Sequence, residues 1–408
     1  MVAVERGIQE LRLADWTRGM SRSMLRQMIA VVSRPGILSF AGGLPAPELF
    51  PTVEYAKALA QVLAVDACAL QYGPPFEPLK THIVQLMAQR GVECSEQQIF
   101  LTTGAQQGLD IMVRLLVNSG DEVMLEEVIY TGVQQAVAPY RPRIVPIASD
   151  LQVGIDVEEI EAHLARGMRP AFLYVIPDGH NPLGVSVSRE RRQRLVELAG
   201  AYGLPIIEDD PYGLLYYDSP MEPPLRAYDD EWIFYLGSFS KILAPALRLG
   251  WIVAPEVLIP RLTVVKEAGD LESSALTQRA VAAYLDAGHL PAHLGRLRAE
   301  YGRRRDAMLS VLQRTFPAEA RWTEPRGGMF VWVALPAVVD TTELLQAAVD
   351  QEQVAFIPGH AFAVPDSRAV DDARHCLRLN FSNCSPEQIE EGIWRLANVL
   401  AKGGSRYE

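Results

Sequence analysis

The segment Tyr235–Val253, YLGSFSKILAPALRLGWIV, is the most informative stretch of the 408-residue sequence. It is typical of two apolar strands joined by a loop, yet it contains four polar residues: Ser238, Ser240, Lys241 and Arg248. A lysine at a strand end among apolar residues has its pKa lowered by desolvation, which makes it a nucleophile for an aldehyde and a proton carrier. Two hydroxyls and an arginine supply the donors that a phosphate monoester needs. The segment therefore predicts a lysine that holds a phosphorylated aldehyde.

Length and composition limit the class of protein. A chain of 408 residues with 49% hydrophobic residues is too long for one ordinary domain. The net charge of −12 includes no basic cluster, so neither nucleic acid nor an anionic membrane is an expected partner. No apolar run reaches the roughly 18 residues of a membrane span, and charges interrupt the N-terminal residues where a signal peptide would be apolar. We expect a soluble, cytoplasmic protein that acts on small molecules.

The four cysteines are spread along the chain without a CxxC pair: Cys68, Cys94, Cys376 and Cys384. This spacing indicates neither a disulfide framework nor a zinc site, and no metal is expected. We interpret all four as structural thiols.

Strand-like and helical patterns alternate over the first two thirds of the sequence. The run QIFLTT at 98–103 precedes a helix from Ala105, and AFLYVI at 171–176 precedes a helix over 189–203. Further strands are predicted at 122–127, 143–148, 204–210, 233–238 and 248–254. Strands separated by helical segments of about 10–15 residues indicate βαβ units, so we predict an α/β fold with a largely parallel sheet.

The pattern changes near residue 289. A long charged helix over 290–316 is followed by strand-like runs at 327–336, 354–359 and 376–382, and by a closing helix at 385–403. We predict a large domain over 46–288 and a smaller α+β domain over 289–408.

Polar residues follow several predicted strands. Gly104, Ala105 and Gln106 lie in TTGAQQG, at a strand-to-helix turn whose free N–H groups suit a phosphate, although such a turn is often only structural. Asn181 follows a second strand in a Pro/Gly loop, and Asp209 ends a third in IIEDDPYG, where a carboxylate can instead cap a turn. Ligands of open α/β sheets bind beyond the carboxyl ends of strands, so these positions predict a binding site.

An ordered set of motifs resembles the fold-type I, class I pyridoxal 5′-phosphate (PLP) aminotransferases, in the branch with the 2-aminoadipate and kynurenine aminotransferases. In chain order the similar stretches are ILSFAGGLPAPELFP, LQYGP, TTGAQQGLD, IIEDDPYG, GSFSKILAPALRLGW, PRGGMFVW and LRLNFS, within about residues 18–400. Each motif is weak alone, and the ordered set carries the resemblance. It implies the PLP-dependent transferase fold, PLP as cofactor, and transfer of an amino group between an amino acid and a 2-oxo acid.

The resemblance implies three catalytic residues. Lys241 would form the Schiff base with PLP and move a proton. Asp209 would keep the pyridine nitrogen protonated, which makes the ring an electron sink. Tyr212, with Asn181, would hydrogen-bond the ring hydroxyl.

Further cofactor contacts are implied at Gly104, Ala105, Gln106, Tyr130, Ser238, Ser240, Arg248 and Tyr72. Tyr130 would stack on one face of the ring, with Pro211 near the other. Ala105 stands where related sequences often have serine. Tyr72 would reach the phosphate of the neighbouring subunit, which implies a homodimer with active sites at the subunit interface.

Substrate contacts are implied at four positions. Arg378 would bind the α-carboxylate in a bidentate pair, together with Asn181. Gly43 would let an N-terminal arm, residues 1–45, close over the substrate and pack with the small domain. Arg26 matches a helix that holds a side-chain-recognising arginine in 2-aminoadipate-type enzymes.

Three departures from the resembled branch leave the reaction open. His180 replaces a glutamine before Asn181, Leu183 replaces a threonine, and the stretch 73–80, GPPFEPLK, after Tyr72 is two residues shorter. These changes predict a wider mouth, a bulky substrate, and His180 near the cofactor. The alternative hypothesis is a PLP enzyme of secondary metabolism that performs β/γ-substitution, elimination or carbon–carbon bond formation.

Two other classes are not favoured. The S-x-x-K spacing from Ser238 to Lys241 occurs in serine acyl enzymes, but no K-T-G follows it. A PLP-binding transcription regulator would need a DNA-binding domain, which we do not expect before SFAGGLP, and the acidic composition opposes DNA.

Overall fold

The computed structural model describes residues 14–18 and 36–404 of the chain. The strands are β1 (Leu38–Ser39), β2 (Ile99–Thr102), β3 (Glu122–Glu126), β4 (Arg143–Ile147), β5 (Ser149–Asp150), β6 (Gly154–Ile155), β7 (Phe172–Val175), β8 (Ile206–Asp209), β9 (Ile233–Ser238), β10 (Gly250–Val253), β11 (Arg321–Trp322), β12 (Phe330–Ala334), β13 (Val354–Ala355), β14 (Ile357–Pro358) and β15 (Cys376–Asn380). The helices are α1 (Asp15–Arg18), α2 (Thr52–Val65), α3 (Glu77–Gln89), α4 (Ala105–Leu116), α5 (Thr131–Val137), α6 (Val157–Ala165), α7 (Arg189–Tyr202), α8 (Ile259–Asp270), α9 (Ala275–Asp286), α10 (Leu290–Thr315), α11 (Thr341–Glu352), α12 (Ala369–Asp372) and α13 (Pro386–Gly404). Most of the strands and helices predicted from the sequence form within one to three residues of their predicted ends. The run predicted as one strand at 354–359 instead forms two short strands, β13 and β14, which belong to different sheets. The helix predicted around Arg26 lies outside the described residues.

A seven-stranded sheet in the order β2-β10-β9-β8-β7-β3-β4 is the centre of the fold. It is largely parallel, as predicted, and β10 runs antiparallel to both of its neighbours, β2 and β9. Every residue of β2, β7, β8, β9 and β10 is buried, which explains why these strands are apolar runs rather than alternating patterns. Because β2, β7, β8 and β9 are parallel, the polar residues that follow them meet at one edge of the sheet.

Local signals fix where the helices around this sheet begin and end. The side chain of Ser188 caps α7 by accepting from the Arg191 N–H, and Gly203 ends the helix in the left-handed conformation with φ 63°. Gly104 precedes α4 with φ 82°, a backbone conformation that favours glycine. The turn between β2 and α4 can therefore be short, which places the start of α4 beside the sheet edge.

The buried residues of a second, antiparallel sheet, in the order β11-β12-β15-β14, form one hydrophobic cluster with buried residues of α10, α11 and α13. The N-terminal strand β1 pairs in parallel with β13, Leu38 opposite Val354, and Phe40 N–H donates to Ala355 O at 2.7 Å. The segment that leads to Gly43 is thus attached to the C-terminal part of the chain. We keep 46–288 and 289–408 as the proposed domain bounds, with the arm 1–45.

Within the residues that the structure describes, no helix is both long and apolar enough to cross a membrane.

Candidate active site

A cleft of about 330 Å³ opens at the shared edge of β2, β7, β8 and β9. Its lining includes most of the predicted site residues: Gly43, Ala105, Gln106, Tyr130, Asn181, Asp209, Tyr212, Ser238, Ser240, Lys241, Arg248 and Arg378. A larger cavity of about 620 Å³ lies beside Asp178 and Arg192, but these charges pair with each other at 2.5 Å. Unpaired functional groups are in the smaller cleft, so we assign the candidate active site there.

The groups at one end of the cleft favour the binding of an anion. Helix α4 starts there, and the N–H groups of a first helical turn lack partners within the helix. Arg248 Nη2 donates to Thr103 O at 3.2 Å and lies so close to Gly104 that a Cβ on this glycine would be 2.7 Å from Nη2. The helix dipole and the guanidinium both attract negative charge at this point.

The loop after β9 shapes the same end of the cleft. Ser240 N–H donates to Ser238 Oγ at 3.0 Å, which closes the turn. Arg248 adopts the left-handed conformation with φ 48° at the end of the short 3-10 helix Pro245–Leu247. The prediction that Arg248 begins a strand is wrong: β10 begins at Gly250, because Arg248 terminates the preceding helical turn.

Lys241 is the amine of the cleft. Its Nζ donates to Gly43 O at 2.8 Å, which joins the N-terminal segment to the loop after β9. Burial, together with the cations of Arg378 and Arg248, lowers the pKa of Lys241 to about 8, against the opposing effect of Asp209. About a tenth of this amine is therefore neutral, and nucleophilic, at pH 7, which is a far larger share than an ordinary lysine has at this pH.

Three consecutive acids at the end of β8 have different surroundings. Glu208 accepts the N–H groups of Leu225 and Arg226 at 2.6 and 2.9 Å, and burial raises its pKa to about 7. Asp210 accepts the Gly213 N–H at 2.6 Å and also bonds to Tyr235 and Arg90. Side chains alternate along a strand, so only the middle acid lines the cleft.

Asp209 has one satisfied and one unsatisfied oxygen. Its Oδ2 accepts the Tyr174 hydroxyl at 2.6 Å, whereas Oδ1 is buried without a hydrogen-bond partner among the described residues. Burial raises the pKa of Asp209 to about 6, although the Tyr174 hydroxyl acts in the opposite direction. A buried carboxylate oxygen without a partner fits a ligand that supplies a positively charged N–H.

Arg378 is a buried cation without an acid. Its Nη1 donates to Asn181 Oδ1 at 2.7 Å and its Nη2 to Ala41 O at 2.6 Å, and the guanidinium lies 4.3 and 4.7 Å from the rings of Phe330 and Phe362. In the described part of the chain no carboxylate lies within ion-pair distance of it, and Nε has no partner. Burial lowers the pKa of Arg378 to about 10. This guanidinium fits an incoming carboxylate.

Two tyrosines and a glutamine are further polar residues of the lining. The Tyr130 hydroxyl donates to Gln106 Oε1 at 3.1 Å, and Gln106 Nε2 donates to Gly132 O at 3.1 Å. The Tyr212 ring meets the edge of Phe330 with 6.0 Å between centroids. Burial raises the pKa of both Tyr130 and Tyr212, so both phenols keep their protons.

Three predicted positions behave differently. Gly104 does not line the cleft itself but allows Arg248 to approach α4. Tyr72 is 76% exposed and lies outside the cleft of its own chain, beside Glu272 and Ser273. Arg26 lies outside the described residues.

Two of the three departures, His180 and Leu183, are buried outside the cleft. Leu183 is buried in the core and His180 is buried against Glu126, with His180 Nε2 2.9 Å from Glu126 Oε2. His180 Nδ1 also accepts the Leu183 N–H at 3.3 Å. Neither side chain lines the cleft, so the prediction that these two residues enlarge the mouth is wrong. The effect of the shortened stretch 73–80, and the position of His180 relative to the cofactor, stay predictions.

Two further residues belong to the site and were not singled out from the sequence. Phe330 lines the cleft beneath Arg378, although its motif PRGGMFVW was noted. Tyr174 lies in the apolar strand β7, and its hydroxyl donates a hydrogen bond to Asp209. This hydroxyl is the one feature by which Tyr174 differs from the apolar residues around it.

The family model described as aminotransferase class I and II matches residues 46–396. The chain belongs to this family. It is 39% identical to aromatic-amino-acid aminotransferase 1 of Thermococcus litoralis over 94% of this chain and 92% of that protein. The structure of Pyrococcus horikoshii kynurenine aminotransferase with PMP aligns with a TM-score of 0.90 at 36% identity, covering 98% of both chains. The alpha-aminoadipate aminotransferase of Thermus thermophilus, complexed with N-(5′-phosphopyridoxyl)-L-leucine, aligns with a TM-score of 0.88 at 34% identity, covering 97% of this chain and 98% of that one.

These comparisons confirm the resemblance drawn from the motifs, including the fold-type I architecture. As a member of the class I and II aminotransferases, the chain is a PLP-dependent transferase that moves an amino group between an amino acid and a 2-oxo acid. The same comparisons favour transamination over the substitution, elimination and carbon–carbon bond chemistry that the sequence left open.

The close contact between Gly104 and Arg248 predicts how the substitution Gly104→Ala, which adds one methyl group, would change the affinity for PLP. Gly104→Ala puts a Cβ 2.7 Å from Arg248 Nη2 and should displace the guanidinium from the start of α4. We expect the affinity of the apoprotein for PLP to fall by about tenfold or more, which corresponds to about 1.4 kcal/mol. Absorbance or fluorescence titration of apoprotein with PLP measures this.

Gly120→Ala is the matched control. Gly120 also has a positive φ, 85°, but a Cβ there would meet no atom within 4 Å. It should cost stability and leave PLP affinity unchanged. Equal PLP affinity in the two variants would contradict the assigned anion site.

Proposed function

We propose that Lys241 holds PLP covalently through Nζ and that the cofactor phosphate lies at the start of α4. The observation that carries this proposal is that a lysine amine with a lowered pKa and a carboxylate oxygen without a partner, Asp209 Oδ1, line the same cleft. When bound, PLP withdraws electrons from the α-carbon of the amino acid. The residues of the chain supply the binding, orientation and proton transfer.

The phosphate contacts would come from one side of the cleft. The Ala105 and Gln106 N–H groups, the Ser238 and Ser240 hydroxyls and Arg248 provide donors, consistent with a bound dianion. With Ala105 in place of a serine, the first residue of α4 contributes only its backbone.

The ring contacts follow from which atoms remain free. Asp209 Oδ1 would accept the protonated ring nitrogen, and this cation would in turn keep the carboxylate ionised. Asn181 already accepts from Arg378 through Oδ1, so its amide N–H remains available, with the Tyr212 hydroxyl, for the ring hydroxyl. Tyr130 would lie against the ring face.

Lys241 would then act as acid and base. Because its pKa is about 8, Nζ can both accept a proton from the substrate α-carbon and return one without a large energetic penalty. Arg378 would hold the substrate α-carboxylate, which fixes the α-carbon within reach of Nζ.

We also propose that the substrates are aromatic or other large apolar amino acids. Besides Lys241, the cations of the described lining are Arg248 and Arg378, which are assigned to the phosphate and the α-carboxylate. The substrate side chain would instead meet apolar surfaces such as Leu44 and Phe330. Two of the similar proteins are named for aromatic amino acids and for kynurenine, which supports this choice.

The proposed assembly is a homodimer in the cytoplasm. Three large apolar side chains are exposed: Leu70 by 73%, Tyr72 by 76% and Leu271 by 56%. The Gly73 N–H donates to Glu272 Oε1 at 3.0 Å, which holds the segment of Leu70 and Tyr72 against the segment of Leu271. A second copy that covers these side chains would bring Tyr72, and the shortened stretch 73–80, to the neighbouring active site. The cysteines are free thiols, as expected in a reducing compartment.

Lys241→Ala tests the covalent attachment. We expect loss of the bound chromophore and a fall in turnover of about 10²–10⁴-fold or more, since both the attachment and the proton carrier are removed. Borohydride reduction of wild-type holoprotein followed by peptide mapping should label Lys241. The rate of PLP attachment to apoprotein should rise with pH and level off above about pH 8, because the neutral amine is the nucleophile. A label on another lysine would refute the assignment.

Mixed dimers test the contribution of Tyr72. When Tyr72→Ala and Lys241→Ala proteins are dissociated and reassembled together, a mixed dimer contains one site with both Lys241 and the partner subunit's Tyr72. Random reassembly makes about half of the dimers mixed, so activity should recover to about a quarter of the parent value. Each variant treated alone is the control. No recovery from an inactive pair would mean that Tyr72 serves its own chain.

A substrate panel tests the specificity. We expect kcat/KM for phenylalanine, tyrosine and kynurenine to exceed that for 2-aminoadipate by about tenfold or more. Arg26→Ala separates the alternatives: if 2-aminoadipate is the better donor and this substitution selectively removes that activity, an arginine-recognised carboxylate substrate replaces the aromatic one.

A further inference from the structure

Tyr174 is a buried residue of β7 that reaches the active site only through Asp209. Its relative exposure is 0%, and it does not line the cleft. Its hydroxyl donates to Asp209 Oδ2 at 2.6 Å, and among the described residues this is the hydrogen bond that the Asp209 side chain makes. The register of β7 against β8 places Tyr174 opposite Ile207. Asp209 lies two residues further along β8, on the same face as Ile207, which brings its side chain next to that of Tyr174.

This hydrogen bond has two physical effects on Asp209. A carboxylate rotates in a broad torsional well, so a fixed donor at Oδ2 restricts its plane and leaves Oδ1 facing the cleft. A hydroxyl donor to a carboxylate at this distance is a short, charge-assisted bond, which stabilises the ionised form of a largely buried group. Burial and the neighbouring Asp209 charge raise the pKa of Tyr174 well above its usual range, so the phenol remains the donor.

We propose that Tyr174 is a positioning residue that keeps Asp209 ionised and oriented toward the ring nitrogen of the cofactor. The proposal rests on the function assigned to Asp209 above. Tyr174 does not touch substrate or cofactor, and its contribution passes through one carboxylate oxygen.

The neighbouring strand offers a matched control. Tyr235 in β9 is also buried, and its hydroxyl donates to Asp210 Oδ2 at 3.0 Å, but Asp210 does not line the cleft. Tyr235→Phe therefore removes the same group from the same kind of pair without affecting Oδ1 of Asp209.

The test compares the affinity of apoprotein for PLP with its affinity for the 1-deaza analogue, in which a C–H replaces the ring nitrogen. The ratio of the two dissociation constants reports the interaction at that nitrogen, whatever the overall fold contributes. We expect Tyr174→Phe to weaken PLP binding by about tenfold and to leave the analogue unchanged, since removing a hydrogen bond to a charged group has an effect of this size. Tyr235→Phe should lower thermal stability and leave the ratio at its wild-type value.

Asp209→Asn separates failure of this inference from failure of the proposed function. If Asp209→Asn removes the preference for PLP and Tyr174→Phe does not reduce it, the role of Tyr174 is overturned and that of Asp209 stands. If Asp209→Asn also leaves the ratio unchanged, both are overturned. An equal loss of affinity for both cofactors in Tyr174→Phe would show a structural role only. Tyr174→Met, which lacks the hydroxyl but keeps a flexible apolar side chain, serves if the phenylalanine variant does not fold.

Discussion

The enclosure of unbalanced charge is the constraint on which this site depends. Lys241, Arg248 and Arg378 line one cleft, and Asp209 is the one carboxylate among its described lining residues. Burial disfavours the charged form of both Lys241 and Arg378 and lowers the pKa of each, and for Lys241 the neighbouring cations of Arg378 and Arg248 lower it further. A phosphate at the start of α4, a carboxylate at Arg378 and a protonated ring nitrogen at Asp209 would reduce the cost of burying these charges. The binding of a doubly anionic cofactor and an amino acid would thus offset unfavourable electrostatic interactions within the cleft, and this contributes to the affinity for both.

The sheet was predictable because its strands are buried on both faces. The runs at 99–102, 206–209 and 250–253 are continuous, short and bounded by turn residues, so their position follows from composition alone. Several helices were not predicted, among them α9. The buried face of α9 includes Gln278, whose side chain accepts the Phe76 N–H and donates to Ser273 O. A polar residue that is satisfied by hydrogen bonds inside the protein interrupts the apolar period on which sequence prediction relies.

Site residues that directly follow strand ends could be predicted from the sequence. Where the direction of a side chain determines whether it faces the cleft, the prediction failed. Asn181 and His180 are adjacent in one loop, yet Asn181 faces Arg378 while the His180 ring faces Glu126. Nothing in the sequence specifies which of two neighbouring loop side chains turns inward. Tyr174 was missed for a related reason, because its role depends on the register of β7 against β8, which local sequence does not encode.

The acids at the end of β8 explain how one carboxylate is reserved for the cofactor. Glu208 and Asp210 use their oxygens to accept backbone N–H groups, with Arg90 and Tyr235 as further partners of Asp210. Asp209 has only one oxygen satisfied. A shift of β8 by one residue would turn a satisfied acid into the cleft and bury Asp209 among groups that already have partners. The hydrogen bonds of Glu208 and Asp210 therefore favour the observed register of β8, and that register leaves Asp209 Oδ1 as the oxygen available to a ligand.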